Sequence, residues 1–446
     1  MQSLQDAAIY EHEIEKFQLI ETHISWVLLT GRYAYKIKKP VDLGFVDFSS
    51  LDSRRFYCNE ELRLNRRLAA QQYVDVVSIT GTPQDPVLNG SSSAFEYAVK
   101  MVQFPQDAQL DRVLARGALK VSHIDELAAK IAAFHAHIER ASSAGPYGRP
   151  DSLQALVMAN FDRVLKEQPH DKQRILALRA WAQNEFTKQH DVLAARKRHG
   201  FIRECHGDLH LRNMALQNDE LVLFDCIEFN EELRWIDVMS EVAFVVMDLD
   251  DRGQDALAHR FLNAYLEHTG DYAGLVLLPY YLTYRAMVRA MVECIRAGQS
   301  ELSQVQRQDL LAEQRGYLAL AEHYTHPPSP LLIITHGLSG SGKTTVTQAL
   351  LKQEGGIRIR SDVERKRLYG LAPDARTQSR FGERLYTADV TRQTYERLAD
   401  LAQTLLASGF TVIADAAFLK KRQRDCFGAL ADTLGVPFVI LDCQAS

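Results

Sequence analysis

Two stretches of the chain bring together residue types that handle phosphate. One is His206-Gly207-Asp208-Leu209-His210-Leu211-Arg212-Asn213, followed by Asp225 at the end of the apolar run Leu221-Val222-Leu223-Phe224. Moving a phosphoryl group from a nucleotide to a hydroxyl takes three things: a group that orients the hydroxyl and accepts its proton, oxygen ligands for the bridging metal, and a cation on the α- and β-phosphates. Asp208 is the candidate base, and Asn213 turns back on the same loop as a candidate ligand for Mg2+. Asp225 is the second hard oxygen ligand. The other stretch, Gly337-Leu338-Ser339-Gly340-Ser341-Gly342-Lys343-Thr344, matches GxxxxGK(S/T) in full and is followed by Thr345. In such a loop Gly337, Ser339, Gly340, Ser341, Gly342 and Thr345 supply a backbone cradle for ATP phosphates at a helix N-terminus. Lys343 bridges the β- and γ-oxygens, and the Thr344 hydroxyl ligates Mg2+.

The flanking sequence provides the elements these motifs need. Leu331–Thr335 reads as a strand entering the glycine loop, and Thr345-Val346-Thr347-Gln348-Ala349-Leu350-Leu351 as a helix leaving it. Ile357-Arg358-Ile359, Thr411–Ala414 and Pro437–Leu441 are short apolar strands alternating with helices, the pattern of a parallel α/β sheet. In the first half, Ile24–Leu29 and Tyr33–Lys38 flank Thr30-Gly31-Arg32 as a hairpin. Ser53 to Ala70 reads as a helix with Phe56, Leu64 and Leu68 on its apolar face and Arg54, Arg55, Arg63, Arg66 and Arg67 on a solvated one. Phe95 to Phe104 is a strand ending at Pro105, and from Gln109 to Ala194 the periodicity is helical, with His135 as a satisfied core histidine. Helices resume from Asp237 to about Tyr324. Asp248, Asp250, Asp251 and Asp255 read as a solvated helix end, and Arg285 and Arg289 as ion-paired structural residues. Thr325-His326-Pro327-Pro328-Ser329-Pro330 opposes both helix and sheet. The expected domains are therefore 1–324, with a small lobe over about 1–104 and a large lobe over about 105–324, then a linker at 325–330 and a second domain at 331–446.

Composition narrows the partners. A formal net charge of -5 offers no general attraction to nucleic acid or anionic lipid, and no basic run is interleaved with aromatics. A small molecule carrying a hydroxyl is the expected substrate. Glu11, Glu13 and Glu15 stand where a signal peptide needs an apolar core, and no window approaches the ~20 apolar residues of a membrane span. The expected location is the cytoplasm. The six cysteines are scattered without a CxxC pair, so they read as reduced thiols rather than a zinc or disulfide framework. The oligomeric state stays open.

The first half, from roughly Thr22 to Glu322, resembles the aminoglycoside phosphotransferase family, a branch of the protein-kinase-like fold. The resemblance rests on HGDLHLRN, the strand after it and Asp225. It implies an α+β two-lobed domain in which Tyr33-Ala34-Tyr35-Lys36 takes the place of the kinase VAIK strand, so that Lys36 holds the α- and β-phosphates of ATP; Lys38, on the same strand face, is the rival. The lysine's ion-pair partner falls on the next helix, at Glu60 or Glu61, which periodicity does not separate. Met101-Val102-Gln103-Phe104 takes the hinge position, and Asp237 resembles an aspartate that braces the loop. No GxGxxG precedes Lys36, a departure that speaks against a protein substrate.

The second half resembles gluconate kinase, polynucleotide 5′-hydroxyl kinase and zeta-toxin-like kinases, through its glycine loop, Arg360-Ser361-Asp362, and Thr411-Val412-Ile413-Ala414-Asp415. The resemblance makes Asp362 a second candidate base, with a helix N-cap as its plain structural alternative, and Asp415 a magnesium or substrate-orienting carboxylate. Kinases of this kind continue past the strand Pro437–Leu441 into a lid with arginines. The chain ends at Ser446, so the expectation is an α/β P-loop domain without its lid region, Arg422 and Arg424 being partial substitutes. In this order the halves resemble bacterial bifunctional proteins combining an aminoglycoside phosphotransferase-like domain with a P-loop ATP-binding domain. The expected function is a tandem ATP-dependent phosphotransferase acting on a small metabolite such as a sugar or amino sugar. The alternatives are a nucleotide-sensing regulator with one non-catalytic module, and a polynucleotide 5′-hydroxyl or toxin-like kinase.

Overall fold

The structure, a computed structural model, describes residues 1–444 apart from 43, 45, 300, 301, 374 and 376–386. The chain divides into two compact units. One comprises Met1–Leu119, Ile138–Gly148 and Gly200–Asp237; the other comprises Lys120–His137, Arg149–His199 and Val238–Ser446.

The first unit is built on a six-stranded antiparallel sheet. Its strands are β1 (Gln18–Glu21), β2 (Ser25–Leu29), β3 (Tyr33–Lys38), β4 (Tyr73–Gly81), β5 (Pro86–Leu88) and β6 (Glu96–Val102), in the order β1-β2-β3-β6-β4-β5. The β2–β3 hairpin pairs Leu29 with Ala34 and Ser25 with Lys38, turning at Gly31, whose φ of 92° is one an L side chain rarely adopts. Ser50 caps the helix Leu51–Ala69 by accepting the Ser53 N–H at 3.0 Å. That helix buries Cys58, Leu62 and Ala69 with Tyr73 and Val99 of the sheet and Val222. Val222 belongs to β9 (Glu220–Leu223), which with β8 (Met214–Gln217) forms a hairpin, while β7 (Ile202–Glu204) pairs with β10 (Trp235–Asp237). The His206–Asn213 loop runs between β7 and β8, and Asp225 follows β9.

The second unit holds most of the described helices and a parallel sheet. The helix Val238–Asp251 is buried along nearly its whole length, because the helices Asp255–Thr269 and Leu278–Ala297 pack against it. The sheet consists of β11 (Leu332–His336), β12 (Ile357–Arg360), β13 (Val412–Asp415) and β14 (Phe438–Asp442), ordered β12-β13-β11-β14 and parallel throughout. Its central strands are apolar and buried without alternation, since helices cover both faces. The glycine loop, Asp362 and Asp415 all lie at the carboxyl ends of these strands, where open α/β sheets bind their ligands. No helix among the described residues is long and apolar enough to cross a membrane.

Some expectations fail on long-range contacts, while those for His135 and Arg289 hold. The arginine run on Leu51–Ala69 is a solvated face only in part: Arg55, Arg63 and Arg66 are exposed, but most of the run is held by long-range partners. Arg54 is buried on Glu96 and the Phe48 carbonyl, Arg66 donates to the Tyr73 carbonyl, and Arg63 and Arg67 both hold Glu204. Phe56, assigned to the apolar face, is 59% exposed. Of the aspartates near 250, Asp251 and Asp255 are exposed as expected, but Asp248 is buried beside Arg252, and Asp250 accepts the Tyr324 hydroxyl at 2.7 Å. Arg285 stacks on Phe244 and donates to the Ser240 carbonyl, and Arg289 pairs with Glu293. His135 is a core histidine between Tyr265 and Glu241.

Candidate active site

The loop after β7 folds around its own polar groups. Gly207 has φ 89°, and a Cβ there would stand 2.8 Å from the Leu233 carbonyl, so the tight turn into Asp208 needs glycine. His206 is buried; its Nε2 lies 2.8 Å from the Phe224 carbonyl, and its Nδ1 accepts the Asp208 N–H. Nε2 therefore carries the proton. Asn213 donates from Nδ2 to both the backbone oxygen and Oδ2 of Asp208, each at 2.9 Å, which turns its own Oδ1 outward as a hard donor. Its carbonyl accepts the Phe224 N–H at 3.0 Å, bringing it beside the segment that carries Asp225. Asp225 sits at φ 66° with its N–H donated to the Tyr73 hydroxyl, and Cys226 N–H is held by Asn65 on the helix Leu51–Ala69.

The two lysines of β3 take different partners. Lys36 lies 2.9 Å from Glu61 Oε1 and 2.6 Å from Asp225 Oδ1. Lys38, fully buried, lies 2.8 Å from Glu61 Oε2 and also bonds Glu228. Each Glu61 oxygen thus holds one ammonium. Glu60, its neighbour, turns away to Arg63 and Arg234. Burial works against charge on Lys36, but Asp225, Glu61 and Glu228 outweigh it and hold its pKa well above the lysine range. Burial alone would raise Glu61; Lys36 and Lys38 instead bring it down to about 2. Glu228 goes the other way. Its burial, with Glu61 close by, pushes it up against the pull of Lys38. Glu228 and its bond to Lys38 were missed from the sequence, as was His210, whose Nε2 lies 3.4 Å from Asp208 Oδ2.

In the second unit, Gly340 and Gly342 of the loop have φ 83° and 80°, and a Cβ on Gly337 would meet the Cys443 carbonyl at 2.4 Å. Lys343 begins the helix Lys343–Glu354 and reaches back to the Leu338 carbonyl at 2.5 Å and Ser341 Oγ at 3.5 Å. Thr344 Oγ1 donates to Asp415 Oδ2 at 3.0 Å, and Thr347 Oγ1 donates to the same oxygen at 3.2 Å. A groove of about 410 Å³ beside the loop is lined by Thr344, Thr345, Gln348, Ala349 and Lys352. Asp362 lies in the first turn of the helix Ser361–Leu368 and pairs with Lys366 at 2.9 Å; the cap position belongs to Arg360. Arg424 is spent on the Phe418 and Leu419 carbonyls.

Residues 55–277 match the phosphotransferase enzyme family, and residues 332–446 match an AAA domain. A Mycobacterium tuberculosis protein described as uncharacterised is 29% identical over 432 residues, spanning 96% of this chain and 83% of its own; a Mycobacterium bovis protein gives the same figures. Among solved structures, an amicoumacin kinase in complex with AMP-PNP, Ca2+ and Ami is 14% identical with a TM-score of 0.44, over 71% of this chain and 92% of its own. An ethanolamine kinase of Plasmodium vivax is 9% identical with a TM-score of 0.43, over 70% and 83%.

Proposed function

The chain belongs to the phosphotransferase enzyme family, and on that premise we propose that it moves the γ-phosphate of ATP to a hydroxyl of a small metabolite. One site is centred on Asp208, within a module spanning 1–324, and a second on Lys343, within a module spanning 331–446. The observation that carries this reading is the convergence, within one unit, of a lysine paired to a helix glutamate, a carboxylate beside that lysine, and an aspartate held by an asparagine.

Each residue has a role that its surroundings support. Lys36 grips the α- and β-phosphates; it stays charged because the carboxylates around it outweigh its burial. Glu61 keeps Lys36 in place when phosphates draw it from Asp225, since Glu61 remains ionised through its second bond, to Lys38. Glu60 has no part in this, being committed to Arg63 and Arg234. Asp208 orients the acceptor hydroxyl and takes its proton, with Asn213 fixing the carboxylate. Asn213 Oδ1 and Asp225 suit Mg2+, which prefers hard oxygen donors. When bound, the metal neutralises charge building on the phosphate oxygens. In the second module Lys343 and the loop N–H groups hold the nucleotide phosphates, Thr344 and Asp415 serve the metal, and Asp362 accepts the hydroxyl proton.

Transfer of labelled γ-phosphate from Mg-ATP into a fractionated small-metabolite pool tests the reading. Asp208→Asn should lose labelling of its acceptor by roughly 10²- to 10⁴-fold while retaining the rise in Tm that ATP binding confers. Lys343→Ala should abolish any labelling due to the second site. ATP binding without acceptor labelling in the wild type would refute phosphotransfer and favour nucleotide sensing.

A further inference from the structure

We propose that Glu267, on a helix of the phosphotransferase module, is a positioning residue for the metal carboxylate of the P-loop module. The inference rests on the reading of Lys343, Thr344 and Asp415 as a magnesium-nucleotide site. It starts from β12, an outer strand of the parallel sheet, whose open backbone row needs cover. Asn263, on the helix Asp255–Thr269, supplies it: its Oδ1 accepts the Arg358 N–H at 2.7 Å and its Nδ2 donates to the Gly356 carbonyl at 3.0 Å. The approach is close enough that a Cβ on Gly355 would lie 2.7 Å from the His259 ring.

One turn along that helix, Glu267 grips two arginines that face the same side of β12. Its Oε1 accepts from Arg358 at 2.9 Å and its Oε2 from Arg360 at 3.0 Å. Arg358 is the unusual member. It is buried, its Nε has no hydrogen-bond partner, and its other terminal nitrogen reaches Thr347 Oγ1 at 3.5 Å. Thr347 Oγ1 in turn lies between two acceptors, the Thr344 carbonyl at 3.1 Å and, at 3.2 Å, Asp415, the carboxylate that also receives the Thr344 hydroxyl. A continuous polar chain therefore runs from Glu267 through Arg358 and Thr347 to Asp415. A buried cation so near a buried carboxylate pairs with it unless another anion holds it back. Glu267 is that anion. It satisfies Arg358 from outside the sheet and leaves Asp415 to the threonines and the metal.

The test uses the full chain and a fluorescent ATP analogue, titrated with and without Mg2+, with Lys343→Ala defining the component due to the P-loop. Glu267→Gln should reduce the Mg2+ enhancement of that component about tenfold, the scale on which partners of metal ligands act, and leave Mg2+-free affinity unchanged. Glu267→Gln combined with Arg358→Met should recover the enhancement, because the freed cation is gone; a merely structural role for Glu267 predicts no such recovery. An enhancement in Glu267→Gln equal to wild type overturns the inference alone, as does a loss that Arg358→Met fails to restore. If wild type shows no Lys343-dependent binding, the P-loop reading falls and the inference with it.

Discussion

Lys38→Met is the sharpest test of the charge arrangement under the small-lobe sheet. In the wild type, Lys36 and Lys38 face Glu61, Glu228 and Asp225, and three of these five side chains, Lys38, Glu61 and Glu228, are shut off from water. Methionine fills the lysine's stem volume but leaves Glu228 without its cation. Breaking a buried pair from one side costs about 3–5 kcal/mol. Glu228 can limit the cost by taking a proton, because its pKa is already raised by burial and by Glu61. A carboxyl whose native pKa lies above its unfolded value binds more protons folded than unfolded, so stability falls as pH rises above the ordinary glutamate value through the raised one. Lys38→Met pushes that pKa higher and widens the window. At pH 8 the loss should approach ~3 kcal/mol, which for a unit of this size lowers Tm by roughly 6–12 °C; at pH 5.5 the loss should be clearly smaller. Thermal unfolding followed by near-UV circular dichroism at both pH values measures it. Adding Glu228→Gln should recover much of the loss at pH 8 by removing the unpaired charge. A Tm within about 2 °C of wild type at pH 8, roughly 1 kcal/mol or less, would refute the reasoning; so would a loss independent of pH that Glu228→Gln does not reverse.

Other perturbations separate neighbouring residues. Glu61→Gln should lower kcat/KM for phosphotransfer by about 100-fold by releasing Lys36, whereas Glu60→Gln, which pairs with Arg63 and Arg234 rather than with Lys36, should change it less than about threefold; steady-state kinetics on the same acceptor decides between them. Gly207→Ala must move the turn away from the Leu233 carbonyl, so kcat should fall by about 100-fold with the KM for ATP little changed. Asp250 is lifted by burial, against the Tyr324 hydrogen bond, to about 7. Its native state therefore holds a proton that the unfolded chain has lost, and stability should fall between the ordinary aspartate value and about pH 7, then level off. Asp250→Asn should flatten that part of a denaturation profile recorded from pH 4 to 8.

What the sequence made legible was chemistry written within a few residues. The glycine loop carries its own signature because positive φ at Gly340 and Gly342 demands glycine, and the strand before it and the helix after it announce themselves by apolar pattern. HGDLHLRN is similarly local, since Asn213 reaches Asp208 within a single loop. Choices between neighbours were not legible. Strand periodicity sets Lys36 and Lys38 on one face, and what tells them apart is Asp225 against Glu228, residues on a distant segment. Helix periodicity could not separate Glu60 from Glu61 either, because both lie within one turn. Arg54 and Arg67 on Leu51–Ala69 were misread for the same reason, as their partners Glu96 and Glu204 are far from them in sequence. One signal was present and unused. Ile357-Arg358-Ile359-Arg360 places arginines where a strand of a covered parallel sheet is otherwise apolar. A buried arginine there requires a carboxylate from outside the sheet. The pattern alone therefore implied that another part of the chain docks on this strand with an acid in hand, and Glu267 is that acid.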